Sequence, residues 1–144
     1  VRVSCAVTPH HALLNSDDAK TYTLFTKMNP PLRSETERSA LFAALLTGTI
    51  DWIESDHAPH TLQDKKAGAS GIPGFSGILL LVKALMEQGA SSSLLQQLLG
   101  GRVQEVFGLP VRNVFIPDYD DLESYSLLSA REYPWDSYRN LRLR

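Results

Sequence analysis

Residues 49–60 read Thr49-Ile50-Asp51-Trp52-Ile53-Glu54-Ser55-Asp56-His57-Ala58-Pro59-His60, and this segment is more informative than any other part of the chain. Its apolar first half predicts a β-strand, and an acid and two imidazoles follow at the carboxyl end of that strand. An α/β barrel places its chemistry at this point, with polar side chains facing the mouth of the barrel. Pro59 fixes the backbone between the two histidines and removes one hydrogen-bond donor.

The segment upstream supplies the rest of a parallel β-α-β unit. Residues 1–7 alternate between apolar and more polar side chains, which predicts a strand that ends near Pro9. Ser34 and Glu37 match a capping box, so a helix is expected over about 35–47, followed by the second strand over about 49–54. The connection between the two strands is long enough for a parallel crossover.

The chain downstream is predicted to be a long loop followed by helices. Residues 55–75 form the loop, and helices are expected over about 76–88, 91–99 and 102–107, the last two separated by Gly100-Gly101. From Pro110 the pattern weakens. We therefore divide the chain into a barrel segment over 1–110 and an extended tail over 111–144, which carries one or two short strands or belongs to a small accessory β region.

Bulk composition excludes several classes of function. The chain has 144 residues, 43% hydrophobic, with a net charge of −2, so nucleic-acid binding is not indicated. No membrane span or signal peptide is visible. The single cysteine, Cys5, fits a reducing compartment, and we expect a cytoplasmic protein. A strand that opens at Val1 suggests a cut through a larger domain.

Several side chains are able to carry chemistry, and each also has an ordinary structural interpretation. Asp56 is a candidate metal ligand or general base, or a loop-capping residue. His60 is a candidate for holding a substrate carboxylate, or a solvated loop histidine. Asn29, before two prolines, suits recognition of an amide edge or simply marks a turn. For His57 and for His10-His11 a structural role is favoured over a metal role.

Basic residues are expected to be mostly solvated. Arg33 is a candidate anion ligand, although an exposed arginine is the default expectation. Lys65-Lys66 is predicted to be a solvated pair.

Together these motifs resemble dihydroorotases, of the amidohydrolase superfamily. The resemblance rests on the following strings, which are quoted as they stand in this sequence: Val7-Thr8-Pro9-His10-His11, Lys27-Met28-Asn29-Pro30-Pro31-Leu32-Arg33, Ser55-Asp56-His57-Ala58-Pro59-His60-Thr61 and Gly71-Ile72-Pro73-Gly74-Phe75. It covers about residues 1–110. Related hydantoinases and allantoinases tend to differ at Ala58 and His60.

The resemblance implies an α/β fold, the last two strands of a TIM-type (β/α)8 barrel with their following helices, and a zinc-dependent reaction. Asp56 matches the aspartate that binds zinc and shuttles the proton. His60 matches the histidine that holds the substrate carboxylate, Asn29 an asparagine that contacts the substrate ring, and the backbone near Gly74 a substrate-contacting loop. The implied reaction is the reversible cyclisation of N-carbamoyl-L-aspartate to dihydroorotate in pyrimidine biosynthesis.

The chain also departs from the family. A whole barrel needs about 250 residues and a catalytic zinc about three protein ligands, so the remaining ligands are expected before Val1, and this chain alone is expected to be inactive. The expected partners are the small-molecule substrate and the rest of the barrel, with a homodimer or an aspartate transcarbamoylase as further candidates. Two alternatives remain: a non-catalytic dihydroorotase-like scaffold, and a related allantoinase or dihydropyrimidinase.

Overall fold

Two short parallel strands lie at the centre of a helix-rich α/β structure. The computed structural model describes residues 1, 3–110, 112–113, 116, 118–122, 124, 133, 135 and 138. Strand β1, Ala6–Val7, pairs in parallel with strand β2, Trp52–Ile53, with Val7 opposite Ile53. The predicted parallel crossover is therefore confirmed.

Both strands are shorter than predicted. Val1 and Val3 are fully exposed, so the alternating pattern of residues 1–7 does not by itself hold an extended strand. The ladder is instead flanked by two backbone hydrogen bonds of 3.0 Å, from the Asp51 N–H to the Cys5 carbonyl and from the Glu54 N–H to the Val7 carbonyl. A strand lacking a partner on its other edge gains little from further extension.

The helices follow the local sequence signals. Ser34 and Glu37 form the predicted reciprocal capping box, and Gly48, with a φ of 71°, follows the end of the helix they begin. The helices of the described residues are α1, Pro9–Leu13; α2, Ser16–Tyr22; α3, Glu35–Leu46; α4, Leu62–Lys66; α5, Phe75–Glu87; α6, Ser92–Gln96; and α7, Arg102–Phe107. A 3₁₀ turn spans Thr23–Thr26 and a π-helical turn spans Gln97–Gly101.

Two of these helices were missed from the sequence. Helix α1 begins directly after Thr8, with Pro9 at the first helical position, so Pro9 starts a helix as well as ending a strand. Helix α4 lies inside the predicted loop over 55–75 and begins with a capping box of Thr61 and Asp64. The predicted break at Gly100-Gly101 is a kink, because only Gly100 leaves helical backbone angles there.

The core lies between the sheet and the helices. Val7 and Ile53 from the two strands pack with Leu45 of α3 and with Leu81 and Leu85 of α5. A smaller cluster lies under the loops that carry the predicted site residues; its buried members are Leu14, Met28, Leu32, Ile72, Leu80 and Tyr138. Through Met28, Ile72 and Leu80, the smaller cluster packs the segments around residues 29 and 70–74 against helix α5.

The predicted tail over 111–144 lies largely outside the described residues. Within the part that is described, residues 119–122 are helical, and Leu122 is buried in the main core. No helix of the described chain is long and apolar enough to cross a membrane.

Candidate functional site

The carboxyl ends of the two strands bring together an imidazole and a carboxylate. His10 lies in the first turn of α1, just past β1, and Asp56 lies just past β2. The His10 Nε2 and the Asp56 Oδ2 are 3.8 Å apart. Asp56 has a φ of 43°, in the left-handed region that aspartate tolerates better than most residues. The turn after β2 therefore aims this carboxylate back towards the end of β1.

His10 is almost fully buried. Its exposed fraction is 1%, and neither ring nitrogen has a partner among the described residues. Burial, together with the neighbouring His11, lowers the pKa of His10 from 6.5 to about 3. The ring is therefore neutral at physiological pH, and the nitrogen facing Asp56 keeps its lone pair free in one of the two tautomers.

His11 has the contacts of a structural histidine. The Thr8 hydroxyl lies 2.7 Å from Nδ1, and Nε2 lies 3.0 Å from the Pro30 carbonyl oxygen. If Nε2 donates to that carbonyl, Nδ1 accepts from Thr8 and both nitrogens are satisfied. The structural role expected for the His10-His11 pair thus fits His11, whose ring nitrogens both have partners. The ring nitrogens of His10 have none among the described residues.

A cavity of about 620 Å³ opens at the ends of the strands. Asp56 and Asn29, two of the predicted site residues, both line it, and Arg33 contributes a guanidinium. The Asn29–Pro30 peptide bond beside this cavity is cis. A polar ring that entered this cavity would meet an amide, a carboxylate and a cation.

His60 lines a different cavity. That cavity measures about 840 Å³ and its wall includes Phe25, Leu62 and Trp135. The His60 Nε2 lies 2.8 Å from the Ser70 carbonyl oxygen, and the Asn29 Nδ2 donates to the Ser70 hydroxyl at 3.3 Å. His60 and Asp56 are therefore not brought into one cavity, but His60 and Asn29 are linked through Ser70.

Gly74 and His57 form a tight contact behind the site. The Gly74 N–H donates to the His57 Nδ1 at 3.1 Å, and the His57 ring stacks on Phe75 at 3.9 Å. A Cβ at Gly74 would lie 2.0 Å from the Ser55 carbonyl oxygen, so only glycine fits. The contacts of His57 are those of the expected structural histidine, and the Gly74 N–H is already engaged.

The expectation that Lys65 and Lys66 are a solvated pair is wrong for Lys65. Lys65 is fully buried, and its ammonium donates to three backbone carbonyls, whereas Lys66 is exposed. Adjacent residues on a helix point in different directions, so one lysine of the pair faces the protein interior and the other faces water.

Sequence reasoning also missed the proximity of His10 to Asp56. The available signal was position, because each residue follows a strand and the two strands were expected to be neighbours. Within the described ranges, no group of three or more His, Cys, Asp or Glu side chains is placed to hold a metal ion. His10 and Asp56 are thus two ligands at most of a zinc site that needs about three.

Comparison with known structures defines the class of protein. The fold is similar to an L-hydantoinase (dihydropyrimidinase) from Arthrobacter aurescens, with a TM-score of 0.62 and 25% identity over 74% of this chain. It is also similar to a D-hydantoinase (dihydropyrimidinase) from a Thermus species, with a TM-score of 0.68 and 24% identity over 79% of this chain. The chain therefore has the fold of part of an amidohydrolase, and it covers 26% and 28% of those two chains.

Comparison with curated sequences finds dihydroorotases as relatives of this chain. The chain is 38% identical over 128 residues to a dihydroorotase from a Geobacillus species, 40% identical over 116 residues to one from Fusobacterium nucleatum, and 44% identical over 115 residues to one from Lactiplantibacillus plantarum. These matches cover 85%, 76% and 76% of this chain. Over most of its length this chain is similar to the carboxyl-terminal part of dihydroorotases.

The match covers a limited share of the relatives. The chain spans 30%, 27% and 27% of the lengths of the same three dihydroorotases. No protein-family model matches the chain.

Proposed function

We propose that this chain supplies the last two strands of a TIM-type barrel in a zinc-dependent cyclic amidohydrolase. The proposed reaction is the reversible cyclisation of N-carbamoyl-L-aspartate to dihydroorotate, in pyrimidine biosynthesis. The observation that carries the proposal is the pairing of His10 with Asp56 at the ends of two parallel strands, 3.8 Å apart, beside a cavity that Asn29 also lines.

The residues present fit part of a zinc site. Among the described residues the ring nitrogens of His10 have no hydrogen-bond partner, the ring stays neutral, and the Asp56 carboxylate lies 3.8 Å from its Nε2. A neutral imidazole and a carboxylate are both ordinary zinc ligands. Zinc bound there would polarise a ring carbonyl and lower the pKa of a water molecule. The remaining ligands have to come from elsewhere in the barrel.

Asp56 would move the proton. Half of its side chain is exposed to the cavity, so a carboxylate oxygen is accessible to an attacking water molecule and to the leaving nitrogen of the ring. In the ring-opening direction Asp56 accepts the proton of the water and delivers it to that nitrogen, and in ring closure the transfer runs in reverse.

Asn29 and His60 would bind the substrate. The Asn29 side chain carries both a donor and an acceptor, which match the two edges of a cyclic amide. With the His60 Nε2 committed to the Ser70 carbonyl, the Nδ1 is the atom left to meet a substrate carboxylate, and it must carry a proton to do so. The Gly74 N–H already donates to His57. We therefore propose that Gly74 holds its loop close to Ser55 and does not donate to the substrate.

The test is turnover of dihydroorotate by the full-length gene product loaded with zinc. Asp56→Asn is expected to abolish turnover while the protein remains folded, because asparagine also tolerates a positive φ but cannot accept the proton. The matched control is His57→Asn. His57 lies next to Asp56 but stacks on Phe75 outside the cavity, and the asparagine oxygen can accept the Gly74 N–H in place of Nδ1, so this variant is expected to retain most of the turnover. Unchanged turnover in Asp56→Asn would contradict the proposal.

A related hydantoinase or dihydropyrimidinase activity is the second candidate, and the structural neighbours favour it. The two candidates differ in whether the substrate carries a carboxylate. We expect the wild-type enzyme to prefer dihydroorotate to dihydrouracil and His60→Asn to lose this preference by about 10- to 100-fold, the value of a hydrogen bond to a charged group. A wild-type preference for dihydrouracil would favour the second candidate.

The cellular setting is also a proposal. Cys5 is an exposed free thiol, which a reducing compartment tolerates, so we place the enzyme in the cytoplasm. The rest of the barrel is the partner that the site requires. Whether a homodimer or an aspartate transcarbamoylase joins it depends on surfaces outside this site.

A further inference from the structure

Lys65 occupies a cage of backbone carbonyls. Its side chain is fully buried, and the ammonium donates to the carbonyl oxygens of Lys27 at 3.1 Å, Ala69 at 3.0 Å and Gly71 at 2.8 Å. An ammonium has three N–H donors, so all of them are used. In the part of the chain that the structure describes, no carboxylate lies within ion-pair distance of this ammonium. The three carbonyl dipoles therefore compensate for the buried charge.

The cage joins two segments that are distant in sequence. One acceptor belongs to Lys27, two residues before Asn29, and the other two belong to the loop after α4. The Lys27 carbonyl also accepts the Gly71 N–H at 2.9 Å, and the Lys27 ammonium donates to the Gly68 carbonyl. The loop over 68–71 is thus held against the segment that carries Asn29 by several bonds, and Lys65 lies at their centre.

Both proposed substrate-binding side chains, Asn29 and His60, contact Ser70. Ser70 lies between Ala69 and Gly71; its carbonyl oxygen meets the His60 Nε2, and its hydroxyl accepts from the Asn29 amide. The Gly71 backbone is also close to His60, since a Cβ at Gly71 would lie 3.1 Å from the His60 Nε2. A displacement of this loop would therefore move both side chains.

We infer that Lys65 is a positioning residue, whose carbonyl cage fixes Ser70 and through it the separation of Asn29 and His60. The inference rests on the proposed function, in which these two side chains bind the cyclic amide and its carboxylate. Lys65 itself touches neither the cavity of Asp56 nor the proposed reacting atoms. Its loss should therefore weaken substrate binding far more than it slows the proton transfer.

The experiment compares Lys65→Met with Lys66→Met in the full-length gene product. Methionine keeps most of the buried chain length but removes the charge and all three donors, and Lys66 is the exposed neighbour on the same helix. We expect Lys65→Met to raise KM for dihydroorotate by about tenfold or more and to change kcat by less than about threefold, the pattern of lost ground-state binding. Lys66→Met should leave both unchanged.

A second control separates positioning from general loss of stability. Leu85→Ala removes a fully buried side chain of α5. Leu85 belongs to the main core, which includes none of residues 68–71. It should lower the melting temperature at least as much as Lys65→Met and leave KM unchanged. Hydrogen exchange at residues 68–72 should rise in Lys65→Met only. If Lys65→Met does not fold, Lys65→Gln, which keeps a neutral donor, replaces it with the same expected direction.

The outcomes distinguish this inference from the proposed function. Absence of dihydroorotate turnover in the zinc-loaded wild-type protein overturns the proposed function, and this inference with it. A normal wild-type turnover together with an unchanged KM in Lys65→Met overturns the inference alone. An equal rise of KM in Leu85→Ala would reduce Lys65 to a stabilising residue and would also overturn it.

Discussion

Replacement of His10 by leucine is expected to stabilise the metal-free protein while it removes a proposed zinc ligand. His10 is buried, and both of its ring nitrogens lack a hydrogen-bond partner among the described residues. A buried polar group without a partner costs about 1–3 kcal/mol, and a hydrophobic exchange of similar size costs less than about 1.5 kcal/mol in repacking. We expect the metal-free His10→Leu protein to gain about 1–2 kcal/mol in its free energy of unfolding at pH 7.

The burial of His10 should also make the free energy of unfolding depend on pH. The folded pKa of His10, about 3, lies below its unfolded value of 6.5, so the unfolded chain binds the proton more readily. Stability is therefore fully present above pH 6.5 and is lost as the pH falls towards 3. The total loss is roughly 5 kcal/mol, of which about 2 kcal/mol is lost by pH 5. This loss should be absent from His10→Leu.

The assay is urea unfolding of the chelator-treated full-length protein between pH 5 and 7.5, with zinc binding measured by titration calorimetry. His11→Leu is the matched control, because its ring nitrogens contact Thr8 and Pro30. That variant should be destabilised by about 1–3 kcal/mol, the cost of losing two hydrogen bonds. A His10→Leu protein that is less stable than wild type at pH 7, or that binds zinc equally well, would refute the assignment of His10 as an unsatisfied ligand.

Three further predictions concern the framework around the site. Gly71→Ala should lower the free energy of unfolding by more than about 3 kcal/mol, because Gly71 has a φ of 122° and a Cβ there would lie 2.7 Å from the Ala58 Cβ. Gly89→Ala, at a residue with a φ of 81° and open space around it, should lower it by about 1 kcal/mol. Equal melting temperatures for the two variants would contradict this prediction. Asn15→Ala should lower the free energy of unfolding in urea by about 2 kcal/mol, because the Asn15 side chain caps α2 by accepting from the Asp17 and Asp18 N–H groups and also donates to Glu35. Ser91→Ala, at the exposed start of α6, should lower it by about 1 kcal/mol or less. Leu85→Ala should cost about 2–5 kcal/mol by cavity formation, and a smaller loss would mean that the core collapses around the missing side chain.

The parts of the fold that could be predicted are those with a local signal. Helix α3 begins at its capping box and is followed by Gly48, and α5 follows Gly74 and ends two residues before Gly89, as their sequences indicate. The parallel pairing of the strands also follows from the length of the connection. The helix ends depend on residues within one or two turns, so neighbouring sequence is sufficient to specify them.

The parts that could not be predicted depend on tertiary contacts. Nothing near Lys65 in the sequence shows that three carbonyls from two distant segments surround its ammonium. A structural role was favoured for His10, because Asp56 reaches it only through the strand pairing and the left-handed backbone at Asp56. The short helices α1 and α4 carried local signals, Pro9 and the pair Thr61 and Asp64, but both lie in stretches that were interpreted as strand end and loop.

The distribution of unfavourable features within the chain favours an enzyme over a non-catalytic scaffold. The buried imidazole of His10, which has no hydrogen-bond partner among the described residues, and the left-handed backbone of Asp56 each cost stability. They meet at the ends of the strands. Around His60 the same chain satisfies its polar groups closely through Ser70 and the Lys65 cage. A scaffold would gain stability from a leucine at position 10 and would lose nothing. A destabilising pair of this kind, beside a loop whose polar groups are hydrogen-bonded, is expected of a site whose unsatisfied groups are completed by a metal ion and a substrate.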